Sequence, residues 1–309
     1  MRGQPSTSRP STVRPSTVRP STPRADPPPS RSGSGAIADA PALAARAIDV
    51  GYQGTTVISG LDLTISPGRL TGIIGPNGCG KSTLLKALSR LVQVSAGHVE
   101  IAGRPLSALS TRELATAMAV LPQSPVAPEG ILVADLVALG RHPHQSWLRQ
   151  WSANDGDVVR DALEQTGVAD LADRTVESLS GGQRQRVWIA MVLAQQTDTL
   201  LLDEPTTFLD LSRSLEVLDL IDVLHTEYNR TVVMVLHDLA LACRYCDELV
   251  VMRDGAVVAQ GTPAEVITEQ LLWEVFGLRS RVIADPVSSR PLVVPVGVRC
   301  VEVAADGRR

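Results

Sequence analysis

Short apolar runs alternate with segments of helical period from about Leu43 onward, and the alternation is interrupted once. Ala47-Ile48-Asp49-Val50 and Leu61-Asp62-Leu63-Thr64-Ile65 read as strands, with turns at Gly51 and Pro67-Gly68. Leu70-Thr71-Gly72-Ile73-Ile74 reads as a further strand, and Thr83–Leu88 favours a helix. His98–Ile101 is again strand-like and closes at Gly103. Between about 125 and 178 the pattern differs: Leu132–Gly140, Val158–Thr166 and Val168–Leu171 look helical, and no strong strand stands out. From Leu200 the alternation resumes. It predicts a strand, a helix over Leu215–His225, a strand over Thr231–Leu236, a helix over Leu239–Cys246 and a strand over Glu248–Met252. This order predicts an α/β core interrupted by a helical insertion.

The first 34 residues break the pattern altogether. They contain four pentads of the form P-S-T-x-R, at Pro5–Arg9, Pro10–Arg14, Pro15–Arg19 and Pro20–Arg24. Proline, serine and arginine dominate, so this tail buries too little apolar surface to offset chain entropy and is expected to be disordered. Its six arginines and one acid, Asp26, carry +5, so the net charge of −4 leaves −9 on the remainder. A body this acidic argues against a general nucleic-acid binder. The chain lacks an apolar run of the roughly 18–20 residues that spans a bilayer. It also lacks an apolar leader, and the expected location is cytoplasmic. Four scattered cysteines, Cys79, Cys243, Cys246 and Cys300, do not make a disulfide framework, and the C-x-x-C at 243–246 reads as two half-buried helix positions.

The densest chemistry lies at Gly75-Pro76-Asn77-Gly78-Cys79-Gly80-Lys81-Ser82, which fits G-x-x-x-x-G-K-[ST] between a strand and a helix. Glycines let successive N–H groups converge on a phosphate, and the helix N-terminus adds partial positive charge. Lys81 is placed to reach β- and γ-phosphates and Ser82 to hold Mg²⁺. Cys79, at that helix N-terminus, is expected to favour the thiolate. Leu200-Leu201-Leu202-Asp203-Glu204-Pro205 is an apolar strand ending in two carboxylates. Asp203 suits Mg²⁺, and Glu204 suits polarising an attacking water. Leu179-Ser180-Gly181-Gly182-Gln183 precedes a helix over Val187–Leu193 and forms a second anion-ready N-terminus. One nucleotide does not need two such cradles in one chain, so this one is expected to serve a neighbour in a head-to-tail dimer. Tyr52 lies upstream of the phosphate loop, where an aromatic can stack on adenine. Gln123 follows Lys81 by 42 residues, and His237 follows the strand Val232–Leu236.

Taken together, these residues resemble the ATP-binding subunit of ATP-binding cassette transporters, with six motifs in order over roughly 45–296. The resemblance implies a P-loop NTPase core with an N-terminal antiparallel β subdomain and the helical insertion at about 125–178. It divides the chain into a tail over 1–42, a cassette over 43–296 and a C-terminal tail over 297–309. It also implies roles. Tyr52 stacks on adenine, Gly75–Thr83 form the Walker A loop, and Gln123 links Mg²⁺ to the transmembrane partner. Ser180, Gly181, Gly182 and Gln183 close over the ATP of a second copy. Asp203 and Glu204 are the Walker B acid and general base, Asp210 is the D-loop aspartate, and His237 contacts the γ-phosphate. Phe208 stands in the D-loop where many relatives carry a small residue.

The runs Leu139–His144, Thr206–Asp210 and Asp285–Pro295 further resemble ATPase subunits of iron(III)-siderophore importers, with cobalamin and haem importers close by. That likeness implies two permease subunits, docked near Asp135–His144 and Gln123, and an extracytoplasmic siderophore-binding protein acting indirectly. His142 and His144 read as contact or surface residues rather than as a metal site. The alternatives are an ATPase for cobalamin, haem or another metal chelate, or a soluble ATP-driven switch. Against the switch, the chain has a single motif set, and only 99 residues separate Lys81 from Ser180.

Overall fold

A computed structural model describes residues 40–145 and 152–298. The pentads, Cys300 and most of the C-terminal tail lie outside the described residues. The first half runs β1 (Leu43–Tyr52), β2 (Thr55–Ile65), β3 (Leu70–Ile74), α1 (Lys81–Leu88), β4 (Ala96–Ile101), β5 (Arg104–Pro105), α2 (Thr111–Ala117), β6 (Met118–Leu121), α3 (Val133–Ala138) and α4 (Ala153–Gln165). The second runs α5 (Gly181–Ala194), β7 (Thr199–Asp203), α6 (Leu211–Tyr228), β8 (Thr231–Val235), α7 (Leu239–Tyr245), β9 (Glu248–Arg253), β10 (Ala256–Gly261), α8 (Pro263–Val266), α9 (Glu269–Phe276), β11 (Leu278–Ala284) and β12 (Pro291–Val298).

Six strands form the central sheet in the order β10-β9-β3-β8-β7-β6, parallel except for the β9–β10 hairpin. Strands β3, β7 and β8 are buried at every residue. Their period of two sends side chains alternately into two cores. Leu70, Leu200, Leu202, Val232 and Met234 face one core. Ile73, Leu201, Val233 and Val235 face the other. A second sheet, β2-β1-β4-β5, is antiparallel. Its Ile48, Ile58 and Val99 meet Leu84, Leu85 and Leu88 of α1, so α1 is sandwiched between the two sheets.

The fold departs from the sequence reading in several places. Cys243 and Cys246, read as half-buried helix positions, are fully buried, and Cys246 lies just past the end of α7. The turn expected at Gly51 lies later: β1 runs through Tyr52, and Gln53-Gly54, both at positive φ, make a two-residue hairpin turn. Strand β5, helix α2, strand β6 and everything after β9 were not read from the sequence. Strand β6 has only four residues at the sheet edge, too few to establish a period. The C-terminal hairpin β11–β12 is half exposed and held by polar anchors. The Arg290 guanidinium donates to the carbonyl of Cys246 and lies 3.7 Å from Asp247. Asp247 also accepts from the Leu70 amide at 3.0 Å and faces His225 at 2.9 Å, which fastens the start of β3 to the end of α6.

Helices α3 and α4 pack on α5. A buried ion pair secures them. The Arg141 Nε donates to Asp155 Oδ1 at 2.9 Å, and its Nη1 donates to the Ala194 carbonyl at 2.7 Å and to Gln196 Oε1 at 2.9 Å. Asp155 also closes the capping box of α4 with Ser152. Burial raises the Asp155 pKa, but its bonds to Ser152 and Arg141 more than compensate and bring it down to about 2.

Removing the guanidinium leaves a buried carboxylate unpaired. Arg141→Ala is expected to cost about 3 kcal/mol or more in urea unfolding at pH 7. Because the folded pKa is depressed, Asp155 contributes its full stabilisation above the ordinary 3.8 and loses it as pH falls toward about 2. The difference between wild type and Asp155→Asn is therefore expected to shrink across that window.

Candidate active site

Four neighbouring parallel strands, β3, β8, β7 and β6, end at one edge of the central sheet. The phosphate loop follows β3, His237 follows β8, Asp203 and Glu204 close β7, and Gln123 follows β6. The sheet therefore assembles at its carboxyl edge residues up to 162 positions apart in the chain.

The loop is shaped by close backbone approach. A Cβ on Gly75, at φ 155°, would lie 2.2 Å from the Met252 carbonyl oxygen. The turn after β9 completes the seat: the Gly255 amide donates to the Cys79 carbonyl at 3.0 Å. Lys81 is 5% exposed, and its ammonium donates to the carbonyls of Gly75 at 2.8 Å and Pro76 at 2.9 Å. Those bonds use two of its three donors at the mouth of the loop. Ser82 and Thr83 follow in the first turn of α1.

The Ser82 hydroxyl donates to Asp203 Oδ1 at 3.0 Å. Asp203 is buried, and its pKa is raised, first by that burial and also by the charge of Glu204, against the Ser82 hydrogen bond. Glu204 shifts the opposite way. Burial raises its pKa too, but hydrogen bonds from His237, Thr207 and Gln123 outweigh it and hold it below the ordinary 4.5. Its Oε2 accepts from Gln123 Nε2 at 2.6 Å and Thr207 Oγ1 at 2.8 Å, and its Oε1 meets His237 Nε2. The two adjacent carboxylates are thus pushed in opposite directions, Asp203 upward and Glu204 downward. The Glu204 backbone has φ 53°, the left-handed region, where a side chain costs about 1–3 kcal/mol. The three bonds to its carboxylate hold it there.

The ABC transporter family model matches residues 58–207. The chain is 50% identical over 261 residues to the probable siderophore transport system ATP-binding protein YusV of Bacillus subtilis (strain 168), covering 84% of this chain and 95% of that one. It is 48% identical over 250 residues to the ferric enterobactin transport ATP-binding protein FepC of Escherichia coli (strain K12), covering 81% and 92%. This chain belongs to the ABC transporter family. The solved dimeric structure of MJ0796, a bacterial ABC transporter cassette, shares the fold with a TM-score of 0.64 and 26% identity, over 71% of this chain and 98% of that one.

The cassette joins Lys81, Ser82, Gln123, Asp203, Glu204 and His237 at one edge but leaves the other expected residues elsewhere. Ser180 caps α5, accepting from the Gln183 amide at 3.3 Å, while Gln183 Oε1 accepts from the Ser180 amide at 3.1 Å. Gly181 and Gly182 face Leu209 and Arg213. Asp210 caps α6 by accepting from the Arg213 amide at 2.9 Å. Tyr52 stands 43% exposed at the tip of the β1–β2 hairpin. Val57 and Ile58 of that hairpin lie against Gly80, which brings this part of β2 beside the phosphate loop. Sequence reading missed Thr207 and the Asp254-Gly255 turn. Thr207, three residues after Glu204, and the Asp-Gly dipeptide were the available signals.

The thiolate expected at Cys79 is not what the structure holds. Its side chain is 6% exposed and points behind the loop toward Gly75, and burial lifts the thiol above its ordinary 9.0 despite nearby Lys81. Because the neutral thiol is the poor nucleophile, iodoacetamide is expected to label Cys79 far more slowly in the folded cassette than in urea. Labelling should accelerate only above pH 9, read by peptide mass spectrometry. Rapid labelling at pH 7 would contradict this placement.

Proposed function

We propose that this chain is the ATP-hydrolysing subunit that powers import of iron(III)-siderophore complexes through a separate transmembrane permease. One observation carries the hydrolytic reading: an ionised Glu204, held at three points, sits one residue beyond the Ser82–Asp203 pair at the mouth of the phosphate loop. Lys81 keeps a third N–H for β- and γ-phosphate oxygens, beside the loop amides of Gly75–Thr83. Ser82 and Asp203 are hard oxygen donors in hydrogen-bond contact and fit Mg²⁺. Gln123 spends its amide N–H on Glu204, leaving its carbonyl oxygen as a further donor. Once bound, Mg²⁺ supplies neutralisation of the phosphate charge. Glu204 orients the attacking water and takes its proton, while His237 steadies Glu204 and reaches the γ-phosphate.

The exposed Tyr52 stacks on adenine. Ser180, Gly181, Gly182 and Gln183, with Asp210 beside them, address the nucleotide of a second copy, so two chains sandwich two ATP molecules. The MJ0796 cassette was solved as a dimer, which supports the pairing of two chains. Closing and opening of the pair drives two permease subunits. The docking run Asp135–His144 keeps only part of itself outward: Asp135, Leu139 and His142 are exposed, whereas Arg141 is buried and His144 turns to the Gln195 carbonyl at 2.7 Å. Among the described residues no helix is long and apolar enough to cross a membrane, so the membrane path belongs to the permease. The proposed location is peripheral, at the cytoplasmic face, with an extracytoplasmic siderophore-binding protein delivering the cargo. The siderophore substrate rests on the names of YusV and FepC and on the similarity to them.

Glu204→Gln is expected to bind ATP normally, to lose hydrolysis by about 10²- to 10⁴-fold, and to accumulate as an ATP-dependent dimer in light scattering. A persistent monomer with bound ATP would refute the sandwich. Uptake of radiolabelled iron on defined siderophores, in a deletion strain complemented with wild type or Glu204→Gln, tests the cargo. Restoration by wild type alone supports it. Unchanged iron uptake in the deletion, in a strain without a redundant importer, would remove iron while leaving the ATPase reading intact.

A further inference from the structure

Of the three side chains that meet the Glu204 carboxylate, Thr207 stands apart by where it comes from. Gln123 follows β6 and His237 follows β8, so each reaches Glu204 from a separate strand end. Thr207 belongs to the same turn as Glu204. Pro205, buried at the second position of that turn, restricts φ through its ring. Thr207 then closes the turn twice: its amide donates to the Glu204 carbonyl at 3.2 Å, and its hydroxyl donates to Glu204 Oε2 at 2.8 Å. A threonine side chain is stiff at χ1, so the hydroxyl is held against that oxygen by its own backbone.

The two carboxylate oxygens are served unequally. Oε2 accepts from Gln123 Nε2 at 2.6 Å as well as from Thr207 Oγ1, whereas Oε1 meets His237 Nε2. Gln123 and His237 each have a second task in the hydrolytic reading above: the Gln123 side chain addresses Mg²⁺, and His237 addresses the γ-phosphate. A side chain that turns to the nucleotide gives up its bond to Glu204. Thr207 has no such task. Its one hydroxyl hydrogen is spent on Oε2, and its backbone is tied to the residue it serves.

We propose that Thr207 is the positioning residue that keeps Glu204 aimed once the nucleotide has drawn Gln123 and His237 away, and that by fixing Oε2 it leaves Oε1 as the oxygen that acts. This rests on the hydrolytic reading and assigns the base to one atom of Glu204. Oε1, vacated by His237, accepts a proton from the attacking water. The water oxygen bonds to the γ-phosphorus, and the bond from that phosphorus to the bridging oxygen breaks, leaving ADP and phosphate. Thr207 acts through the carboxylate alone and does not touch the reacting atoms.

The test uses the full chain with ATP and Mg²⁺, and steady-state hydrolysis is the first readout. Thr207→Val keeps the branched shape and removes the donor. Its kcat is expected to fall about ten- to hundred-fold, the range for losing one hydrogen bond to a charged group, with KM for ATP unchanged. Thr207→Ser keeps the hydroxyl and should recover most of that loss. In a Glu204→Gln background, Thr207→Val should cost nothing further, because the two residues act as one unit. The second readout is the crystal structure of nucleotide-free Thr207→Val, in which Gln123 and His237 should still hold Glu204 in its wild-type place. Wild-type kcat in Thr207→Val, a raised KM, a failed rescue by serine, a further loss in the Glu204→Gln background or a displaced Glu204 in that crystal would each overturn the proposal and leave the ATPase reading standing. If Glu204→Gln itself hydrolyses ATP like the wild type, the hydrolytic reading falls and this proposal falls with it. Should Thr207→Val not fold, Thr207→Ala carries the same comparisons.

Discussion

The structure depends on one constraint: strands β3, β8 and β7 are buried on both faces. Such strands can satisfy their backbone only through neighbouring strands, and of the three only β7 carries a charged side chain, Asp203 at its carboxyl end. Helix α1 has the same requirement, being enclosed by two sheets with Leu84, Leu85 and Leu88 inward. Its N-terminus opens onto the phosphate loop. The polar residues of the site are therefore confined to the carboxyl edge of the sheet, where strand ends and a helix start converge.

That confinement sets the electrostatics. Asp203 and Glu204 are successive residues, yet one is buried with a hydroxyl partner and the other carries three hydrogen bonds. Their pKa values move in opposite directions for that reason. The same enclosure accounts for Cys79, whose position at a helix N-terminus does not prevail over burial behind the loop. Local motif chemistry and tertiary burial compete, and at this site burial decides the charge state of the thiol.

The remaining polar motifs are satisfied locally. Ser180 and Gln183 close a capping box, and Asp210 caps α6. These bonds hold the two turns rigid and leave their outer faces exposed. The hydrogen bonds of these two turns are thus made within one chain, at the surface proposed to meet a second copy.

The sequence by itself determined the glycine-rich loop, the paired carboxylates after an apolar strand, the order of the motifs and the parallel core strands. Each is written in neighbouring residues: a turn that needs glycine, or a short unbroken apolar run. Most helices and strands of the nucleotide-binding core were legible for that reason. Only the tertiary structure decided the partnership of Gln123 with Glu204, 81 positions away, the role of Thr207, the burial of Cys79 and the anchoring of the C-terminal hairpin through Arg290. Strand β6 and that hairpin lack a decisive period, because a four-residue edge strand and a half-exposed ribbon are stabilised by what they touch rather than by their own pattern. Through-space contacts of this kind depend on sheet order, and sheet order is a property of the whole chain's packing.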